Sequence, residues 1–138
     1  MTVRDYLAQY RNLEFTIRLL REEINRKRGD LELPRGIRYD GIRVMNTPKD
    51  YFAEAVAELA AEEERLQGMI VECERLRKKI LMQIAILPNP KHILVLQKRI
   101  LEGKTLEQAA DEMAYSIQHT KRLYLEAVRE FDKEYGPF

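Results

Sequence analysis

Thr105-Leu106-Glu107-Gln108-Ala109-Ala110-Asp111-Glu112-Met113-Ala114-Tyr115-Ser116-Ile117-Gln118-His119-Thr120-Lys121-Arg122-Leu123 is the stretch that decides the fold. Thr105 with Gln108 three residues on is a capping box, the sequence sign of a helix start. Ala109, Ala110 and Met113 line the inside of the helix that follows. Ala114-Tyr115 makes a turn, and Ser116 caps the next helix. Helices joined so tightly cross steeply and need small or apolar residues at fixed offsets where they meet. Ala110, Ala114, Thr120 and Leu123 stand at those offsets. The stretch therefore reads as a helix-turn-helix. A helix from about Lys91 to Leu101, stopped by Glu102-Gly103, completes a three-helix module over residues 88–138.

The last helix, from Ile117 to about Glu134, has two faces. Ile117, Thr120, Tyr124, Ala127, Val128 and Phe131 form one stripe at helical spacing. Gln118, Lys121, Arg122, Leu125 and Arg129 cluster roughly 130° away at 100° per residue. Arginine and lysine bond guanine edges, and glutamine bonds adenine. Gln118, Lys121 and Arg122 are thus the candidate base readers, with Ile117, Leu125 and Arg129 completing the surface. Ser116, Thr105 and Lys104 are candidate phosphate contacts, because hydroxyls and helix N-termini suit phosphate oxygens. His119 lies on the other flank. Against this stands a plain three-helix bundle with a solvated basic face. Ala114 occupies a position where such turns favour glycine, and Thr120 one where isoleucine or valine is usual. Glu107, Asp111 and Glu112 make the preceding helix acidic, so it adds little to phosphate binding.

Upstream, Val3, Tyr6, Tyr10, Leu13, Ile17, Leu20 and Ile24 follow the 3-4 spacing of a coiled-coil seam. They predict a helix from Thr2 to Arg28, started by Thr2 and Asp5 and ended by Gly29-Asp30. Thr47-Pro48 opens a second, longer helix that ends at Leu87-Pro88. Its stripe is Phe52, Val56, Leu59, Leu66, Ile70, Cys73, Ile80, Ile84 and Leu87. Glu63 and Arg77 interrupt it, either setting register or lying at its edge. Between the helices, Ile37-Arg38-Tyr39 and Ile42-Arg43-Val44 flank Asp40-Gly41, which predicts a small β-hairpin. Arg35, Arg38 and Arg43 in this connector read as a salt-bridged loop or as a second phosphate-contacting arm. The expected fold is all-α. Residues 1–87 form a long antiparallel, coiled-coil-like hairpin, and 88–138 form the helix-turn-helix module. A two-helix hairpin buries only one stripe of each helix, so a second copy is the expected partner, giving a homodimer or higher oligomer.

Composition narrows the function. The chain has 138 residues, 24 basic and 23 acidic, for a net charge of +1, so the total lends no support to nucleic-acid binding and local placement must supply it. No apolar run is long enough to span a membrane. The charged N-terminus predicts no signal peptide, and the single Cys73 excludes a disulfide framework, so a cytoplasmic protein is expected. His92 and His119 are 27 residues apart and lack acidic or thiol partners at ligand spacing, so no metal is expected. No glycine-rich phosphate loop and no nucleophile–base–acid set is visible, so neither cofactor nor enzymatic activity is expected.

Residues Leu101-Glu102-Gly103-Lys104-Thr105-Leu106-Glu107-Gln108-Ala109-Ala110, with Ser116, resemble region 4 of bacterial sigma factors, the part that reads a promoter element. The likeness covers about residues 87–130. The chain as a whole is similar to phage late-gene transcription regulators of the ArpU/RinA type. In these a helical N-terminal region and a connector, here Tyr39, Arg43, Val44, Thr47 and Pro48, precede a region-4-like module. The resemblance implies a phage or prophage transcription regulator that binds double-stranded DNA, with host RNA polymerase as a candidate partner. Two rivals stand beside it. One is a small terminase subunit for DNA packaging, although such proteins usually place the DNA module first. The other is an adaptor that binds polymerase and not DNA, which the balanced charge of residues 88–138 favours.

Overall fold

The structure, a computed structural model, describes residues 1–32 and 48–138. Its elements are α1 (Val3–Glu32), α2 (Pro48–Ala85), α3 (Pro90–Leu96), α4 (Leu106–Met113) and α5 (Ile117–Tyr135). A π-helical turn, Gln97–Leu101, carries α3 on. The protein is all-α across these residues. The expected β-hairpin around Asp40-Gly41 and the arginines at 35, 38 and 43 lie outside the described residues.

Local chemistry explains the boundaries. The Thr2 N–H donates to the Asp5 carboxylate and the Asp5 N–H to the Thr2 hydroxyl, each at 3.1 Å. This reciprocal box uses aspartate where glutamate is usual. Hydrogen bonds from Thr2, the backbone one foremost, hold the Asp5 carboxyl below its ordinary range. At the other end α1 passes through Gly29 and continues to Glu32, beyond the stop expected at Gly29-Asp30. Glycine inside a helix costs only about 1 kcal/mol. Here Arg26 pairs with Asp30 at 3.1 Å across Gly29, which supports the extension. Between α2 and α3, Asn89 caps α3 by accepting from the Lys91 N–H at 2.9 Å, and Pro90 takes the first helical position.

Two compact units divide the chain: Phe15–Val71, and Met1–Glu14 with Glu72–Phe138. In the first, Ile17, Ile24 and Leu66 are buried. Lys27 donates to Glu62 at 2.5 Å and Arg28 pairs with Glu63. Leu31 shares a groove with Leu59, and Leu20 one with Met69, so partner numbers on α2 fall as those on α1 rise, the antiparallel order. Glu63 therefore sits at the edge of the seam, held by Arg28. Phe15, Leu19, Leu20, Val56 and Val71 remain exposed.

The second unit holds the larger core. Tyr6, Leu7 and Tyr10 of α1 are buried here, as are Cys73, Ile80 and Ile84 of α2. Burial pushes the Cys73 thiol up. Burial and then the neighbouring Glu14 push the Tyr10 phenol up to about 12, while a hydrogen bond with Arg77 works against them. Val95 and Leu96 of α3 and Leu123, Ala127, Val128 and Phe131 of α5 belong to the same core. Both the Tyr6 and the Tyr135 hydroxyls end on Gln83, at 2.6 Å on its side-chain oxygen and 2.7 Å on its carbonyl. The Tyr6 ring stacks on Phe138 and neighbours Phe131. This aromatic cluster places the first fourteen residues in one unit with residues 88–138, so the compact units do not divide at 87/88. Among the described residues no helix is long and apolar enough to cross a membrane.

Candidate nucleic-acid interface

The candidate interface is built on α4, the turn after it, and α5. The Thr105 hydroxyl accepts from the Gln108 N–H at 3.1 Å, and the Gln108 side-chain oxygen accepts from the Thr105 N–H at 3.0 Å. This satisfies two backbone donors at the start of α4. Before it, Gly103 takes φ +69°, and the Arg11 guanidinium occupies the space a Cβ would need. Arg99 fastens the same loop by donating to the Lys104 carbonyl at 2.7 Å.

At the other end of α4, Ala114 adopts the left-handed conformation, φ 58° and ψ 38°. The Tyr115 N–H reaches back to the Ala110 carbonyl at 3.0 Å and the Ala114 N–H to Asp111 at 3.2 Å. That pattern is a Schellman ending, with alanine where glycine is usual. The left-handed region costs an L-residue roughly 1–2 kcal/mol. Ala114→Gly is accordingly expected to raise stability by about 0.5–1 kcal/mol, the strain relieved less the backbone entropy glycine adds. Urea unfolding followed by circular dichroism measures it, and an unchanged midpoint overturns it.

Ser116 then caps α5 by accepting from the His119 N–H at 3.1 Å. Thr120 is wholly buried, and its hydroxyl donates to the Ser116 carbonyl at 2.9 Å. This internal bond explains how a polar residue fills a position where an aliphatic one is usual. Ala109 and Ala110 are buried, and α4 packs on α5 through these small side chains. Leu123 and Ala127 are buried on α5, and α3 packs on it as well.

With that side of α5 turned inward, the other is presented. Gln118, Lys121, Arg122 and Arg129 are exposed, and Leu125 is half-buried beside them. Ile117 is 51% exposed at the first helical position. Among the described residues no carboxylate forms an ion pair with Lys121, Arg122 or Arg129. Ser116 and Thr105 are exposed as well. Each hydroxyl oxygen already accepts a capping bond, which leaves its proton to donate.

Lys104 differs. It pairs with Glu112 and, at 3.2 Å, with Glu102, while Lys98 also reaches Glu112 at 3.2 Å. The hydrogen bond from Lys104, then that from Lys98, hold the Glu112 carboxyl below its ordinary range, and Glu112 raises the Lys104 ammonium in return. The structure thus gathers Gln118, Lys121, Arg122 and Arg129 on one helix face and ties Lys104 to acids at its side.

Three features escaped the sequence pattern. The Lys91 ammonium lies 5.9 Å from the centre of the Tyr115 ring, which meets the His119 ring edge-on at 4.7 Å. The Arg99 guanidinium lies over Tyr124 at 5.2 Å. His92 is buried, neither ring nitrogen has a hydrogen-bond partner, and its Nε2 stands 3.7 Å from a Glu126 oxygen. Spacing along the chain carries no signal for such contacts between elements. Among the described residues no three histidine, cysteine or acidic side chains are gathered as a metal would need. No protein-family model, curated protein or solved structure matches the chain.

Proposed function

We propose that this chain is a sequence-specific double-stranded-DNA-binding transcription regulator, phage or prophage encoded and acting as a homodimer or higher homo-oligomer. Gln118, Lys121 and Arg122 read base edges, with Ile117, Leu125 and Arg129 beside them, and Ser116 and Thr105 bond phosphates. One observation carries the reading. The exposed face of α5 holds three cations free of carboxylate partners among the described residues and one amide, on a helix braced from behind by α4. Those are the groups that recognise guanine and adenine in a major groove wide enough for a helix. The exposed Phe15, Leu19, Leu20, Val56 and Val71 support self-association, because large apolar side chains gathered in a unit with a small core favour a covered state.

Selection of bound fragments from a random duplex pool tests the proposal. Enrichment of one sequence is the expected result, with affinity falling as salt rises, by a slope of roughly 0.9 per phosphate neutralised. No enrichment and no binding at low salt defeats it. Scattering in solution separates a dimer from the large ring that a packaging subunit forms.

The ties of Lys104 and Lys98 to Glu112 favour a second reading, an adaptor for RNA polymerase. Co-purification with polymerase after nuclease treatment, with no DNA shift, selects it. The same ties yield a prediction. Glu112→Gln removes one negative charge, frees Lys98 and leaves Lys104 only its Glu102 partner, so affinity for random DNA is expected to rise several-fold and the salt slope to steepen. An unchanged slope, measured by titration at two salt concentrations, places Lys98 and Lys104 away from the phosphates.

A further inference from the structure

Ile117 is not accounted for by the fold. Ser116 supplies the cap of α5, and Thr120, Leu123 and Ala127 supply its buried side, yet a branched aliphatic side chain stands 51% exposed at the first helical position. One turn on along the same ridge is Lys121, and Gln118 follows Ile117 directly, both exposed. The setting is cationic, with Arg122 on the neighbouring ridge and Arg129 further along that of Ile117. An apolar protein surface fits such a rim poorly, whereas a polyanion fits it.

The major groove of DNA offers an aliphatic side chain one apolar group, the 5-methyl of a pyrimidine. The first turn of a recognition helix is the part that reaches base edges. We infer that Ile117 reads a pyrimidine 5-methyl group, that of thymine or of 5-methylcytosine. This rests on the DNA-binding reading above. Gln118 beside it carries the amide that bonds adenine. The expected target therefore holds a methyl-bearing pyrimidine at or next to the base pair that Gln118 contacts.

The test uses the full chain and the best duplex from the selected pool. Each thymine is replaced in turn by uracil, which lacks only the methyl group, and each cytosine in turn by 5-methylcytosine. One uracil position is expected to weaken binding roughly fourfold, the worth of one buried methyl group. A methylcytosine position that instead tightens binding by a similar factor identifies the modified base as the source. Ile117→Ala is expected to lose the discrimination and Ile117→Val to keep it. Specific binding indifferent to every uracil and every methylcytosine overturns the inference, as does an alanine variant that still discriminates. The uracil series on the wild-type chain needs no variant to fold. A chain that binds no duplex at all removes the DNA-binding reading itself, an outcome distinct from indifference to the methyl group.

Discussion

Phe131→Ala is expected to destabilise the protein by about 3–5 kcal/mol, the range for an aromatic side chain deleted from a closed core. Phe131 is 0% exposed. Its ring centre lies 4.9 Å from that of Tyr135, 6.1 Å from Tyr6 and 6.0 Å from Phe138. Truncation leaves a cavity that none of these neighbours fills without moving, and two of them are tethered. Tyr6 and Tyr135 both bond Gln83, so collapse into the space would break those hydrogen bonds. Domains of this size are stable by roughly 5–15 kcal/mol, so the variant is expected to lose a large share of that margin. Phe15→Ala is the control: Phe15 is 56% exposed and belongs to the other unit, so its loss should cost no more than about 0.5 kcal/mol in the monomer. Urea unfolding followed by tyrosine fluorescence and by circular dichroism measures both. A loss below about 1 kcal/mol for Phe131→Ala would mean that the aromatic cluster does not close around it.

How much of this was legible in the sequence follows from the range of each interaction. Bonds between residues three or four apart were legible: the box of Thr105 and Gln108, the Ser116 cap, and the Thr2–Asp5 pair. The inward alanines of α4 and most of the α5 stripe followed from periodicity, although Ile117 on that stripe is exposed. The α1 stripe is buried only in part. Tyr6, Tyr10, Ile17 and Ile24 are buried as the spacing predicts, but Leu20 is exposed, and Leu7, off the stripe, is 1% exposed. Periodicity states which residues share a face and not how wide a face the neighbours cover. Gln83 as the meeting point of two phenols, 77 and 52 residues away, has no local signature. The same holds for Lys104, whose partner Glu112 lies across the capped start of α4. A list of cations read from sequence overstates the charge a surface offers, because it cannot show which of them already have partners.

That distinction sets the size of the second effect. Gln118→Ala, Lys121→Ala and Arg122→Ala in one chain are expected to remove at least about 3 kcal/mol of specific DNA affinity, more than a hundredfold, since each base-contacting side chain contributes about 1–3 kcal/mol. Stability is expected to hold within about 0.5 kcal/mol, because all three side chains are exposed and alanine is the best helix former. A loss of affinity without a loss of stability separates recognition from collapse of the module, which Phe131→Ala would produce instead. The single variants then divide the roles. A side chain that bonds a base loses affinity for the selected duplex while random DNA is bound as before. A side chain on a phosphate loses both together and lowers the salt slope by about one. Arg122 and Lys121 are expected in the first class and Arg129, two turns further from the N-terminus of α5, in the second. A triple variant that still selects the same sequence with undiminished affinity would show that the exposed face of α5 is not what meets DNA.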